Sequence, residues 1–168
     1  MNKLLLFDVI VGEITVALNN SLAAAEEARA TATNKENAAE NKYDTLGLEA
    51  AYLAHGQSER VVQLEKDLAA YVFLKERIKD HATAEVGSLL RLESETGEDR
   101  ILFIGPASGG LVVSLGGVSV SVITPSSPFG KALLGRSVRG DFILNVSGCH
   151  VPTRIVERWY LVTLSPPV

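Results

Sequence analysis

Three carboxylates fall four residues apart in this chain: Glu36, Glu40 and Asp44. On a continuous helix that spacing stacks them into one acidic stripe. They sit in the polar segment 34–44, NKENAAENKYD, whose Asn34, Asn37 and Asn41 are residues that cap and turn a backbone. An acidic stripe has the wrong sign for neutralising the phosphates of bare DNA or RNA. It fits insertion into a basic cavity, or a plain solvated helix face. The other chemistry-bearing residue types are scattered. His55, His81 and His150 have no neighbouring ligands at metal-binding spacing. Cys149 is the sole cysteine, which excludes an intrachain disulfide or thiolate metal cluster and points to a reducing compartment. The glycine-rich run GPASGG at 105–110 lacks the lysine and the following helix of a phosphate loop. Ser, His and Asp residues are present, but no pattern groups them into a triad.

The flanks of 34–44 must position the carboxylates, and both read as helices. Before the segment, Leu4, Phe7, Val11, Ile14, Leu18, Leu22, Ala25, Ala28 and Ala32 recur at spacings of three and four. After it, Leu46, Ala50, Leu53, Gln57, Val61, Leu64, Leu68, Tyr71 and Leu74 do the same. Such spacing is the seam of a helix that wants a partner helix. A reversal near Ala39 pairs the two series in order, Ala32 with Leu46, Ile14 with Leu64 and Phe7 with Tyr71. Residues 1–80 therefore predict an antiparallel coiled-coil hairpin with an acidic tip at 34–44. Arms of roughly 35 residues make it on the order of 50 Å long.

From residue 81 onward the pattern changes. HATAEVG at 81–87 reads as a linker. Short β-like runs follow near 86–93, 100–105, 110–115, 118–124, 142–146 and 154–162, separated by glycine-rich turns. Pro128 starts a short helix that Gly135 closes. The expected fold class is α+β: the helical hairpin, then a small antiparallel sheet with one short helix over 81–168. The charge is uneven. Residues 1–75 hold seven Lys/Arg against eleven Asp/Glu, and residues 76–168 hold nine of each. The start, MNKLLLFDVIVGEITVAL, looks superficially like a signal sequence, but Asp8 and Glu13 interrupt its apolar run. Without a run of about 18 apolar residues, no membrane span is expected. The reading is a cytoplasmic chain, expected to be a monomer.

The most specific motif is ITPSSPFGKALLGRSVRGD at 123–141. It resembles the C-terminal domain of the bacterial transcript-cleavage factors GreA and GreB, roughly S-P-[LI]-G-x-A-L-[LI]-G-[KR]-x-x-G-D. Ser127, Pro128, Gly130, Ala132, Leu133, Leu134, Gly135, Arg136, Gly140 and Asp141 match, and Arg139 reads as one added residue. The Gre family also places a long coiled coil before this domain, so the resemblance spans nearly the whole chain. It implies an FKBP-like sheet domain that docks on the rim of the RNA polymerase secondary channel. Ser127, Pro128 and Phe129 would lie in the docking loop. The coiled coil would enter the channel and bring the candidate carboxylates Glu36, Glu40 and Asp44 toward the catalytic centre. There carboxylates assist the polymerase's own Mg²⁺ and orient a water for phosphodiester hydrolysis. The chain would carry no cofactor or metal of its own, bind no specific DNA sequence, and at most stimulate the polymerase's intrinsic cleavage.

The tip departs from the family pattern of Asp and Glu three apart followed by Asn. Here Glu-Asn occurs twice, at 36–37 and 40–41, with Thr33 and Asn37 three residues earlier. Two outcomes stay open: stimulated cleavage of backtracked RNA, or occupation of the channel as a regulator or inhibitor. A rival from another class is an FKBP-like peptide-binding or chaperone module, which needs an aromatic-lined apolar pocket. Another is a self-associating structural coiled coil. Ser127-Pro128 also has a simpler role open to it, the start of a helix.

Overall fold

A computed structural model describes residues 2–33, 46–79, 81–94, 99–137, 141–146 and 149–159. The tip carboxylates Glu36, Glu40 and Asp44 lie outside the described residues, as does the added Arg139. Two long helices come first, α1 (Lys3–Thr33) and α2 (Leu46–Arg77). Asn2 opens α1, its Oδ1 accepting from the N–H of Leu4 at 3.0 Å. Gly12 and Gly56 sit inside the helices and meet open space, so neither marks a close approach.

The helices run antiparallel. The ring of Phe7 meets that of Tyr71 edge-on at 6.2 Å, and Lys75 Nζ reaches Asp8 Oδ1 at 2.6 Å. Both contacts join the start of α1 to the end of α2. Ile14, Ala28, Ala50 and Leu64 are buried along the seam, as the spacing predicts. Three expected members are not. Leu4, Leu22 and Leu53 are exposed, whereas Ser21, Ala24, Ala25 and Ala54 are half-buried. Hydrophobicity alone picks the leucine in each pair of adjacent positions. A seam fills its positions by size as well, and at 21–22 and 53–54 the smaller side chain takes the inner place, whereas at 3–4 Lys3 is buried and Leu4 exposed. Asp67 is also buried on α2, accepting from Gln63 Nε2 at 2.7 Å. By length and composition α1 is apolar enough to cross a membrane, which the sequence reading did not expect. Its Leu6, Phe7, Ile10 and Ile14 are buried inside the protein.

Two compact units divide the chain. One is Gly12–Ala69, the greater part of both helices. The other joins the helix roots, Met1–Val11 and the chain from Ala70, with the sheet. Six strands form that sheet: β1 (Leu89–Ser94), β2 (Asp99–Ile104), β3 (Val112–Leu115), β4 (Val118–Ile123), β5 (Asp141–Val146) and β6 (Cys149–Trp159). Their spatial order is β3-β4-β2-β1-β6-β5. The pairings are antiparallel except β2 with β4, so the sheet is mixed. The cause is local. After β2 the segment 105–111 carries the chain outward to β3. Gly116 and Gly117, at φ 61° and 78°, then turn it back as β4 beside β2. Two successive positive φ values are what a tight hairpin turn requires.

One sheet face packs Leu90, Leu92, Leu102, Ile104, Ile123, Phe142 and Ile155 beneath Leu133 of the short helix α3 (Pro128–Leu133). The expected linker joins this core. Ala84 is buried, donates to Arg136 O at 2.8 Å and accepts from Gly135 N–H at 2.9 Å. Against the other face Phe103 meets Phe7 edge-on, with ring centres 5.3 Å apart.

Candidate functional site

The segment 127–129 is positioned by hydrogen bonds it makes to itself and to the end of β4. Ser127 caps α3: its Oγ accepts from the N–H of Gly130 at 3.0 Å and donates to Thr124 O at 2.7 Å. Ser127 N–H donates to the same carbonyl at 3.0 Å. Pro128 takes the first helical position, where its missing N–H costs nothing. Gly130 is required. A Cβ there would overlap the carbonyl oxygen of Thr124 more closely than side chains ever approach one. The helix-starting role of Ser127-Pro128 is thus the one that the geometry displays, and both ends of the hydroxyl are committed to it.

What remains for a partner lies beside the cap. Pro128 is exposed, and Phe129 is half-buried, packed against the core on one side. Phe129, Ser127 and Thr124 form one wall of an open cleft of about 610 Å³. Its floor is the part of the α3-bearing sheet face that runs beyond the helix, with Arg100, Leu102, Ser119 and Ser121, and Gly109 and Gly110 border it. The Arg100 guanidinium lies 6.0 Å from the centre of the Phe129 ring. The cleft presents one aromatic ring, several hydroxyls and one Arg–Asp edge, since Asp99 also lines it. Asp99 is engaged by Arg91 Nη1 at 3.2 Å. Such a surface can stack on and hydrogen-bond a protein segment. Its groups offer no nucleophile with an adjacent base.

Arg100, Ser119 and Ser121, which the motif does not include, line the cleft together with Ser127 and Phe129. A signal existed for the serines. The strict alternation VSVSV at 118–122 turns both to one face of β4 while Val120 and Val122 are buried on the other. Two histidines have carboxylate partners: His81 Nδ1 pairs with Glu85 at 3.3 Å and His55 Nε2 with Glu59 at 3.7 Å. Among the described residues no three potential metal ligands come together. At the far edge of the sheet, Arg154 Nε donates to Asp141 Oδ1 at 2.5 Å. That hydrogen bond holds the Asp141 carboxyl below its ordinary pKa, and the same pair raises that of Arg154.

No family model matches the chain, and no curated protein matches it. Solved structures do. GreA factor homolog 1 (Gfh1) of Thermus thermophilus is 20% identical over 89% of this chain and 94% of that one, with a TM-score of 0.37. Gfh1 of Thermus aquaticus is 20% identical over 88% and 92%, at 0.36. The elongation factor GreA/GreB of Nitrosomonas europaea is 22% identical over 61% of this chain and 92% of that one, also at 0.36. Superposition at that level leaves the functional argument to the chain's own residues.

Proposed function

We propose that the chain is a Gre-like transcription factor that binds bacterial RNA polymerase through its secondary channel. The sheet unit docks on the channel rim through 127–129 and the cleft beside it. The acidic segment 34–44 is presented to the catalytic Mg²⁺, where Glu36, Glu40 and Asp44 supply negative charge. The chain is not itself an enzyme: any phosphodiester hydrolysis takes place at the polymerase's metal centre. The protein acts in the cytoplasm as a monomer without a cofactor. One observation supports this reading above the others. The motif that resembles the Gre pattern folds as a capped helix start, with Pro128 exposed and Ser127 and Phe129 lining an open cleft. It does so in a chain whose other part is a long antiparallel helix pair flanking an acidic segment.

The test is capture of core RNA polymerase by the full chain and by the double variant Pro128→Ala, Phe129→Ala, which leaves the Ser127 cap in place. Loss of capture in the variant alone supports docking. Failure of the parent chain to capture polymerase removes the reading. A second reading, occupation of the channel without stimulated cleavage, is favoured by Thr33 and Asn37 standing where the family pattern has Asp. Transcript cleavage in stalled polymerase complexes separates the two. If Glu36→Ala with Glu40→Ala leaves a measured cleavage activity untouched, the tip assignment is wrong.

A further inference from the structure

Tyr71 lies at the root of α2, is fully buried, and yet spends its hydroxyl outside the hairpin seam. Its Oη donates to Ala107 O at 3.1 Å, in the loop between β2 and β3. The same hydroxyl rests over Gly105, where a Cβ would collide with it and come within 2.9 Å of Val122 Cγ1. Gly105 N–H in turn donates to Ile123 O at 2.8 Å. Ile123 precedes Thr124, whose carbonyl holds Ser127 by two hydrogen bonds. A second strand of contact runs parallel to the first. Gly109, two residues beyond Ala107, is packed so close to Thr124 that a Cβ would sit 3.0 Å from its Cγ2. Gly109 and Ser127 both border the cleft. The loop 105–110 therefore touches the α2 root on one side and, on the other, the end of β4 at Ile123 and Thr124, whose carbonyl holds Ser127.

We propose that Tyr71 is a positioning residue that couples the root of α2, through the loop 105–110, to the cap at 127–129. The purpose assigned to this coupling rests on the docking reading above: a partner seated at 127–129 then stiffens the root of the helix that leads to the acidic segment. The contacts themselves do not depend on that reading. Packing alone is served by the ring, which Phe7 meets edge-on. Coupling needs the hydroxyl, so Tyr71→Phe separates the two roles.

Hydrogen exchange of the isolated full chain tests it, comparing the parent with Tyr71→Phe and, separately, Ser127→Ala. The hydroxyl is one neutral hydrogen bond, so amides linked to it should exchange about fivefold faster without it. Tyr71→Phe is expected to speed exchange at 105–111 and also at 127–134. Ser127→Ala is expected to speed exchange at 70–77. Changes confined to the mutated element, or spread equally to the unlinked amides of β6 at 153–158, overturn the proposal, because the first is local packing and the second is loss of stability of the unit as a whole. With polymerase added, the parent should show slowed exchange at 70–77 and Tyr71→Phe should not, while half-saturation stays within about twofold. Equal slowing in both overturns the coupling. Absence of any polymerase binding by the parent removes the docking reading and leaves the exchange of the isolated chain to decide the coupling.

Discussion

Ser127→Ala removes a side chain whose oxygen has two partners, and the structure allows its cost to be worked out. The first loss is the cap. Gly130 N–H, held at 3.0 Å, is left without its acceptor at the start of α3, which costs about 1 kcal/mol. The second is the donation to Thr124 O at 2.7 Å. That carbonyl keeps the Ser127 N–H at 3.0 Å, so it is not orphaned, and the added cost is only about 0.5 kcal/mol. The expected destabilisation is therefore about 1.5 kcal/mol in the sheet unit. Trp159 is the only tryptophan and lies at the end of β6, opposite Leu89, so its fluorescence reports on this unit during urea unfolding. Ser127→Thr keeps both donor and acceptor at an extended backbone, φ −68° and ψ 157°, which a β-branched residue adopts. It should recover most of the loss. An alanine variant within about 0.3 kcal/mol of the parent would refute the capping argument, as would a threonine variant no better than alanine.

Gly130→Ala should be harsher than Ser127→Ala, on the order of 3 kcal/mol by the same urea assay, because its Cβ meets backbone rather than a side chain that can swing away. Phe7→Ala empties a site closed on two sides by Tyr71 and Phe103 and should cost about 4 kcal/mol, whereas Phe73→Ala, with that ring 59% exposed, should stay within about 0.5 kcal/mol. Asp141, its pKa lowered by Arg154, favours the folded state above the ordinary carboxylate pKa of 3.8, and that contribution disappears as pH falls through the lowered native value. In Arg154→Met, titration of the Asp141 carboxyl followed by NMR should move back up toward 3.8, and an unchanged titration would remove the pair as its cause.

The strands and α3 were legible because their signals are local. Alternation over 118–122, paired glycines at 116–117 and proline after serine at 127–128 each need only neighbours in sequence to act. What sequence missed was set by partners far along the chain. Ala84 is core because Gly135 and Arg136 pair with it, and nothing in HATAEVG announces that. The parallel pairing of β2 with β4 follows from where the loop 105–111 leads the chain, not from the composition of either strand. Leu53 lies outside the seam and Ala54 inside because the place takes a small side chain. The site was legible in the same partial way. Ser127 to Phe129 stood out as a motif, while Arg100, from a strand 27 residues earlier, joins them only through the fold.

The motif's specificity has two possible origins, and the structure separates them residue by residue. Ser127 and Gly130 are fixed by folding: one caps α3, the other passes beneath the Thr124 carbonyl with no room for a side chain. Leu133 is fixed by the core, where it is fully buried. A resemblance carried by these three reports a shared way of starting a helix over a sheet. Pro128 and Phe129 are different. Pro128 is exposed and Phe129 turns part of its ring to the cleft, so neither is wholly explained by packing. Phe129 is also where the chain departs from the aliphatic residue of the Gre pattern. The docking proposal therefore draws on Pro128 and Phe129, which packing explains less fully than Ser127, Gly130 and Leu133. A docking test on those two leaves Ser127 and Gly130 intact, and a urea melt of the same variant accounts for the core contact that Phe129 also makes.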